Sequence, residues 1–120
     1  MKKLLTLIVL VVFTMFGYAQ TAKVGGTEES IKNMIGKNYV EFVFPDEITQ
    51  ETIEKSGKYY TEYFTVEYNK PSKIVKVSLI ENTDMARRVI TRFLLSCGVR
   101  TVEFTGKEFT IMEFYDSYLK

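Results

Sequence analysis

The sequence predicts an α+β domain with the ferredoxin-like β-α-β-β-α-β order, a two-layer sandwich in which two helices cover one face of an antiparallel sheet. Three observations predict it. Strand-forming residues alternate with period two in several runs, and the apolar spacing changes to the helical period over residues 84–97. Each main helix candidate also lies between strand candidates, as the crossovers of a split β-α-β unit require. Short extra elements are expected at both ends.

The first half of the chain supplies the opening elements. Residues 28–35 predict a short helix, with Thr27 as its N-cap and Gly36 as its stop. Residues 39–44 alternate apolar and mixed positions, which is typical of a half-buried strand. Residues 46–55 then carry apolar side chains at helical spacing, so a second helix is expected there.

A hairpin follows in the middle of the chain. Residues 58–68 are rich in Tyr, Thr and Phe, which favour strands, and residues 73–80 alternate again. Between them, residues 69–72 read Asn-Lys-Pro-Ser, which is typical of a turn. The two runs are therefore predicted to pair.

Residues 84–97 predict the clearest helix of the chain, because their apolar side chains form one stripe. Asn82 or Thr83 is expected to cap its start, and Gly98 to end it. Asp84 and Arg88 stand four residues apart, so we expect them to pair.

The last part of the chain completes the order. Residues 99–104 and 108–112 predict two strands joined by a tight turn at residues 105–107. Residues 113–119 predict a short closing helix, since their aromatic and leucine side chains could pack onto the core.

The N-terminus has the layout of a secretory signal peptide over residues 1–19. A basic start precedes a short apolar run, and cleavage is expected between Ala19 and Gln20. The junction resembles that of secreted proteins from Bacteroidota-type bacteria, which implies a bacterial periplasmic or secreted protein. We expect residues 20–27 to be a flexible lead-in, residues 28–120 to form one domain, and no membrane span to remain after cleavage.

Charge excludes one class of partner. The chain has 16 Lys and Arg against 15 Asp and Glu, and loss of Lys2 and Lys3 with the leader leaves 14 against 15, a formal charge of −1. Such a chain lacks the basic excess that neutralises phosphates, so no nucleic acid is expected as a partner. A protein partner or self-association is expected instead.

Catalytic equipment is sparse. The chain has no histidine and a single cysteine, Cys97, so Ser–His and Cys–His nucleophiles and common zinc sites cannot be built. We expect no metal, no cofactor and no enzymatic activity. An enzyme based on carboxylates such as Asp46 or Asp116 stays open as an alternative. Cys97 is read either as a buried apolar side chain or as a reactive, dimer-forming thiol.

The leading functional hypothesis is a non-catalytic binding module. Tyr39, Thr61, Tyr63 and Thr65 are expected on the sheet face that the helices leave uncovered, where few charges are predicted. The alternatives are an ordinary strand surface, or a face covered by a terminal helix.

A second hypothesis places a small anionic ligand on the main helix. Arg88 and Arg92 are expected on its outer side, and guanidinium groups suit carboxylates and phosphates. The alternative is a solvated face with Arg88 paired to Asp84.

Overall fold

A computed structural model describes residues 21–120, which form one layer of strands and one layer of helices. The signal peptide of residues 1–19 and the cleavage site at Ala19 and Gln20 lie outside the described residues. The strands are β1 (Thr21–Val24), β2 (Tyr39–Val43), β3 (Phe64–Asn69), β4 (Ile74–Leu79), β5 (Thr101–Phe104) and β6 (Lys107–Thr110). The helices are α1 (Glu28–Gly36), α2 (Gln50–Gly57), α3 (Asp84–Cys97) and α4 (Ile111–Phe114), and α4 continues as a π-helical segment, Tyr115–Leu119.

The strands make one mixed sheet in the order β3-β4-β2-β1-β5-β6. All neighbours are antiparallel except β1 and β5, which are parallel. The predicted α+β class is confirmed. The predicted antiparallel ferredoxin-like sheet is not confirmed, because two further strands join the sheet and one of them, β1, separates β2 from β5.

Strand β1 corrects the prediction of a flexible lead-in over residues 20–27. Thr21–Val24 alternates half-buried or exposed positions with buried ones, and Ala22 and Val24 face the core. The run is only four residues long and is followed by Gly25, so its alternation was too short to stand out from a polar terminus.

The strand predicted over residues 58–68 is also shorter than expected. After α2, the chain makes a 3-10 turn at Lys58–Tyr60, and β3 begins only at Phe64. Tyr60 packs against Phe64 and Phe93, with ring centroids 5.9 and 6.4 Å apart. Tyr60 therefore fills the corner between helix and strand instead of extending the strand.

Capping residues set the helix bounds. Of the two predicted caps of α3, Thr83 accepts a hydrogen bond from the Ala86 amide at the start of the helix. Gly98 ends the helix in the left-handed conformation, as predicted. Helix α2 begins at Gln50 and not at residue 46, because the cap is Thr49, whose hydroxyl accepts from the Thr52 amide.

The core lies between the sheet and the helices. Its largest fully buried side chains are aromatic, and edge-to-face contacts such as that between Phe64 and Phe93, at 5.8 Å, join them. Every buried strand side chain belongs to the same sheet face. The opposite face is therefore left without a helix layer among residues 21–120, and we call it the open face.

Candidate functional site

The open face is built by the alternation of each strand. Along β2 and β4, core-facing side chains are buried, whereas the side chains between them are half-buried or exposed. The same alternation holds in β1 and β5. Because side chains of paired strands share a face at each register position, the face can be read as rows that cross the sheet.

The first row carries hydroxyl groups. Thr65 on β3 pairs with Ser78 on β4, which pairs with Tyr39 on β2. Thr65 is exposed, and the other two are half-buried. The predicted placement of Tyr39 and Thr65 on one uncovered face is consistent with this register.

The second row carries charges. Glu67, Lys76 and Glu41 occupy successive strands at one register position, with the lysine between the two carboxylates. Lys76 Nζ also lies 4.8 Å from the centroid of the Tyr39 ring. This cation–π contact holds the tyrosine ring at the junction of the two rows.

Thr61 and Tyr63 lie outside the strand that was predicted to carry them. Both belong to the turn before β3; Thr61 is exposed, and Tyr63 is half-buried and packs against the core. The Tyr63 carbonyl accepts a hydrogen bond of 3.0 Å from the Ile80 amide, so the chain is already paired with β4 there. Tyr63 thus stands at the margin of the hydroxyl row.

A second part of the open face was missed from the sequence, because it depends on β1. Thr21 Oγ1 and Thr101 Oγ1 are 2.8 Å apart, and Lys23 Nζ lies 3.9 Å from Glu103 Oε2. Beside them is an open cleft of about 640 Å³ whose rim mixes lysines and carboxylates. One of these carboxylates, Asp46, lies 3.3 Å from Lys73 Nζ. The face therefore carries more charge than the sequence pattern predicts.

The main helix carries the two predicted anion-binding arginines on its exposed side. Arg88 does not pair with Asp84 within the salt-bridge distance among the described residues; its guanidinium lies 5.5 Å from the centroid of the Tyr115 ring. Hydrogen bonding to the Tyr115 side chain is the main cause that raises the pKa of Arg88. Arg92 is exposed, one helical turn further on.

The Asp84 carboxylate has a different partner. The Tyr115 hydroxyl donates a hydrogen bond of 2.6 Å to Asp84 Oδ1. This bond, which favours the protonated phenol, is the main cause that raises the pKa of Tyr115. A tyrosine so held is a poor base at neutral pH, and its role is to join the C-terminal segment to α3.

Cys97 is buried, as one of the two predicted alternatives requires. Its exposed fraction is 5%, and burial raises its pKa to about 11, against a smaller opposing effect of a hydrogen bond with Ser56. The thiol is therefore protonated at neutral pH and unreactive in the folded protein.

The remaining chemistry is limited in the part of the chain that the structure describes. Residues 21–120 contain no group of histidine, cysteine or acidic side chains placed to hold a metal ion. None of the helices in the same range is long and apolar enough to cross a bilayer.

Comparison with known proteins adds no assignment. No protein family, curated protein or solved structure matches the chain.

Proposed function

We propose that this protein is an exported, non-catalytic interaction module that binds a protein partner through the open face of its sheet. The observation that carries the proposal is the open face itself, a six-stranded surface that no helix among residues 21–120 covers. The binding centre is the hydroxyl row of Thr65, Ser78 and Tyr39, with Tyr63 at its margin and the exposed Thr61 in the turn before β3.

The chemistry of this region suits a protein surface. Tyr39 combines an apolar ring with a hydroxyl group, and its ring is already held by Lys76, so little side-chain freedom remains to be lost on binding. Ile80, which follows β4 beside Tyr63, is 62% exposed and adds apolar area. Tyrosines and apolar side chains within a polar surround are typical of binding hot spots.

Charge favours a partner with basic groups. The open face presents the carboxylates of Glu41, Glu67 and Glu103 against the ammonium groups of Lys23 and Lys76. Lysine and arginine side chains on a partner would neutralise the excess negative charge of this face. Such pairing is screened by salt, so binding should weaken as ionic strength rises.

The experiment starts from the envelope fraction of a host bacterium. Immobilised wild-type protein and variants are used to capture proteins, and the affinity of each purified candidate is then measured by calorimetry. We expect Tyr39→Ala and Tyr63→Ala to weaken binding by about tenfold or more, as hot-spot truncations do.

A matched control comes from Tyr59, a tyrosine that is 74% exposed but lies in the 3-10 turn and not on a strand. Tyr59→Ala should keep the wild-type affinity. If the Tyr39 and Tyr63 variants bind as tightly as Tyr59→Ala, the open face is not the binding surface.

A second candidate function is supported by the separation of Arg88 from Asp84. The Asp84 carboxylate accepts a hydrogen bond from the Tyr115 hydroxyl and forms no salt bridge with Arg88 among the described residues. The guanidinium of Arg88, together with that of Arg92, is therefore available to bind a small anionic ligand. A thermal-shift screen with small di- and tricarboxylates tests it. Stabilisation that Arg88→Ala abolishes would support this site, and its persistence in that variant would contradict it.

We also propose that the fold is a ferredoxin-like unit interrupted by one strand. If β1 and the edge strand β6 are left out, the order β3-β4-β2-β5 remains, with β2 and β5 antiparallel to each other. This is the strand order of the split β-α-β pattern that the sequence predicted.

A further inference from the structure

Strand β1 is central in the sheet but is attached mainly on one side. It pairs with β5 along its whole length, from Thr21 with Thr101 to Val24 with Phe104. With β2 it shares a single register pair, Lys23 with Val43. Its side-chain contacts follow the same division, since the Thr21–Thr101 and Lys23–Glu103 contacts both join it to β5.

The connection that follows β1 is a short glycine hinge. Gly25 and Gly26 link the strand to the Thr27 cap of α1. Gly26 has φ +87°, and a Cβ at this position would fall on Ser30 Oγ. Gly25 has open space around its Cα and no positive φ. We call the form in which β1 lies in the sheet of its own chain the closed form. The path of the chain from β1 into α1 in this form therefore depends on one glycine, Gly26.

Withdrawal of β1 would leave a slot between β2 and β5. The slot has the buried positions of Ala22 and Val24 on the core side, and the partners Thr101 and Glu103 on the open face. A strand that fills it must place small apolar side chains, a hydroxyl group and an ammonium group at alternating positions. The β1 strand of a second copy of this protein has this pattern, because its sequence is the same.

We propose that β1 is an exchangeable strand, and that two copies of this protein form a dimer by each inserting β1 between β2 and β5 of the other. The contacts of the closed chain are then made between chains without loss, because the same residues meet. The hinge opens in the exchange, so Gly26 no longer needs a positive φ. The inference does not depend on the proposed binding function.

The hinge gives the first test. Gly26→Ala strains the closed path, through its φ and through Ser30, but not an extended hinge. In protein purified from expression of the full chain, we expect this variant to raise the dimer-to-monomer ratio by about tenfold or more. Gly25→Ala is the control and should leave the ratio at the wild-type value. Analytical ultracentrifugation over a concentration series measures both.

Paired cysteines give the second test, because they show whether the β1 strand in a sheet comes from the same chain or from the other copy. The pair Thr21→Cys with Thr101→Cys, in a Cys97→Ala background, joins β1 to β5. On a non-reducing gel, the exchanged form yields a covalent dimer and the closed form a covalent monomer. The pair Thr101→Cys with Thr110→Cys lies within the β5–β6 hairpin and should always yield a monomer.

The outcomes separate cleanly. Interchain disulfides at positions 21 and 101, in a fraction that rises with the protein concentration during refolding, support the exchange. Intrachain disulfides alone at every concentration, or a dimer whose 21–101 disulfide is intrachain, overturn it. If Gly26→Ala fails to fold, the cysteine pair with the wild-type hinge still decides. Loss of partner binding by Tyr39→Ala would leave these results unchanged.

Discussion

The hydroxyl of Tyr115 donates a 2.6 Å hydrogen bond to Asp84 Oδ1, although the two residues are 31 positions apart. Asp84 is the first residue of α3, and Tyr115 is the first residue of the π-helical segment. The bond therefore joins the start of the main helix to the C-terminal end of the described chain. It also takes the carboxylate that the sequence pattern had assigned to Arg88.

Removal of this hydroxyl should weaken the fold modestly. We expect Tyr115→Phe to lower the free energy of unfolding by about 1 kcal/mol, because the ring stays packed and the exposed Asp84 carboxylate regains water. Tyr59→Phe, at an exposed position, is the control and should have no measurable effect. Urea denaturation followed by circular dichroism measures both. Equal midpoints for the two variants would show that the bond contributes nothing.

The same bond predicts a dependence on alkaline pH. The pKa of Tyr115 is raised above its ordinary value of 10.0 in the folded protein, so the folded state holds this proton more tightly than the unfolded state. The stabilisation is fully present below pH 10 and is lost as pH rises through the folded-state pKa. Above pH 10, wild-type stability should therefore decrease more steeply than that of Tyr115→Phe. Parallel curves would contradict the prediction.

Gly98 should be required at the end of α3. It has φ +100° and its amide bonds to the carbonyls of Leu94 and Leu95, while a Cβ there would meet no other atom within 4 Å. Gly98→Ala should therefore cost about 1 kcal/mol from backbone strain alone. The control is Gly36→Ala at the end of α1, which also has open space but no positive φ, and should be neutral or slightly stabilising. Thermal unfolding that ranks the two variants in the opposite order would exclude this explanation.

The Cys97 thiol should be slow to react. Its pKa of about 11, against an ordinary value of 9.0, lowers the thiolate fraction at pH 8 about 100-fold, and burial limits access further. Labelling with a disulfide reagent at pH 8 should therefore be at least about 100-fold slower in the native protein than in denaturant. Similar native and denatured rates would mean that the thiol is exposed and able to link two copies.

Glu113 should contribute to stability only while it is charged. Its carboxylate accepts a hydrogen bond of 3.0 Å from the Thr110 amide in the capping box of α4, and this bond is the main cause that lowers its pKa below 4.5. The folded state therefore binds this proton less readily, so the stabilisation is present above pH 4.5 and is lost as pH falls. Between about pH 5 and pH 3, Glu113→Gln should lose less stability than the wild type. Acid-titration unfolding curves of equal slope would refute this.

Local signals were sufficient for much of the fold. Helix α3 has the predicted bounds because a long apolar stripe, a threonine cap and a terminal glycine all act within the helix itself. The hairpin of β3 and β4 was found for a similar reason, since alternation and turn residues are neighbours in sequence. The start of β3 was misplaced because the packing of Tyr60 on Phe93 is a contact between distant residues.

The candidate site divides in the same way. Alternation along single strands is enough to place Tyr39 and Thr65 on the side away from the core. It cannot assign Thr21 and Lys23 to the same face, because β1 has only four residues and its place depends on pairing with β5, about 80 positions away. Nor can helical spacing predict that Asp84 prefers Tyr115 to Arg88, because a four-residue spacing describes only neighbours on one helix.

By itself, the sequence determined the α+β class, the bounds of the main helix and the Thr27 cap of α1, because these follow from interactions within a few residues. It also excluded histidine chemistry and an internal disulfide through composition alone. Only the tertiary structure decided the order of the strands, the central place of β1 and the extent of the open face. Each of these depends on which distant segments exchange backbone hydrogen bonds and bury apolar area together, and sequence periodicity carries no record of that choice.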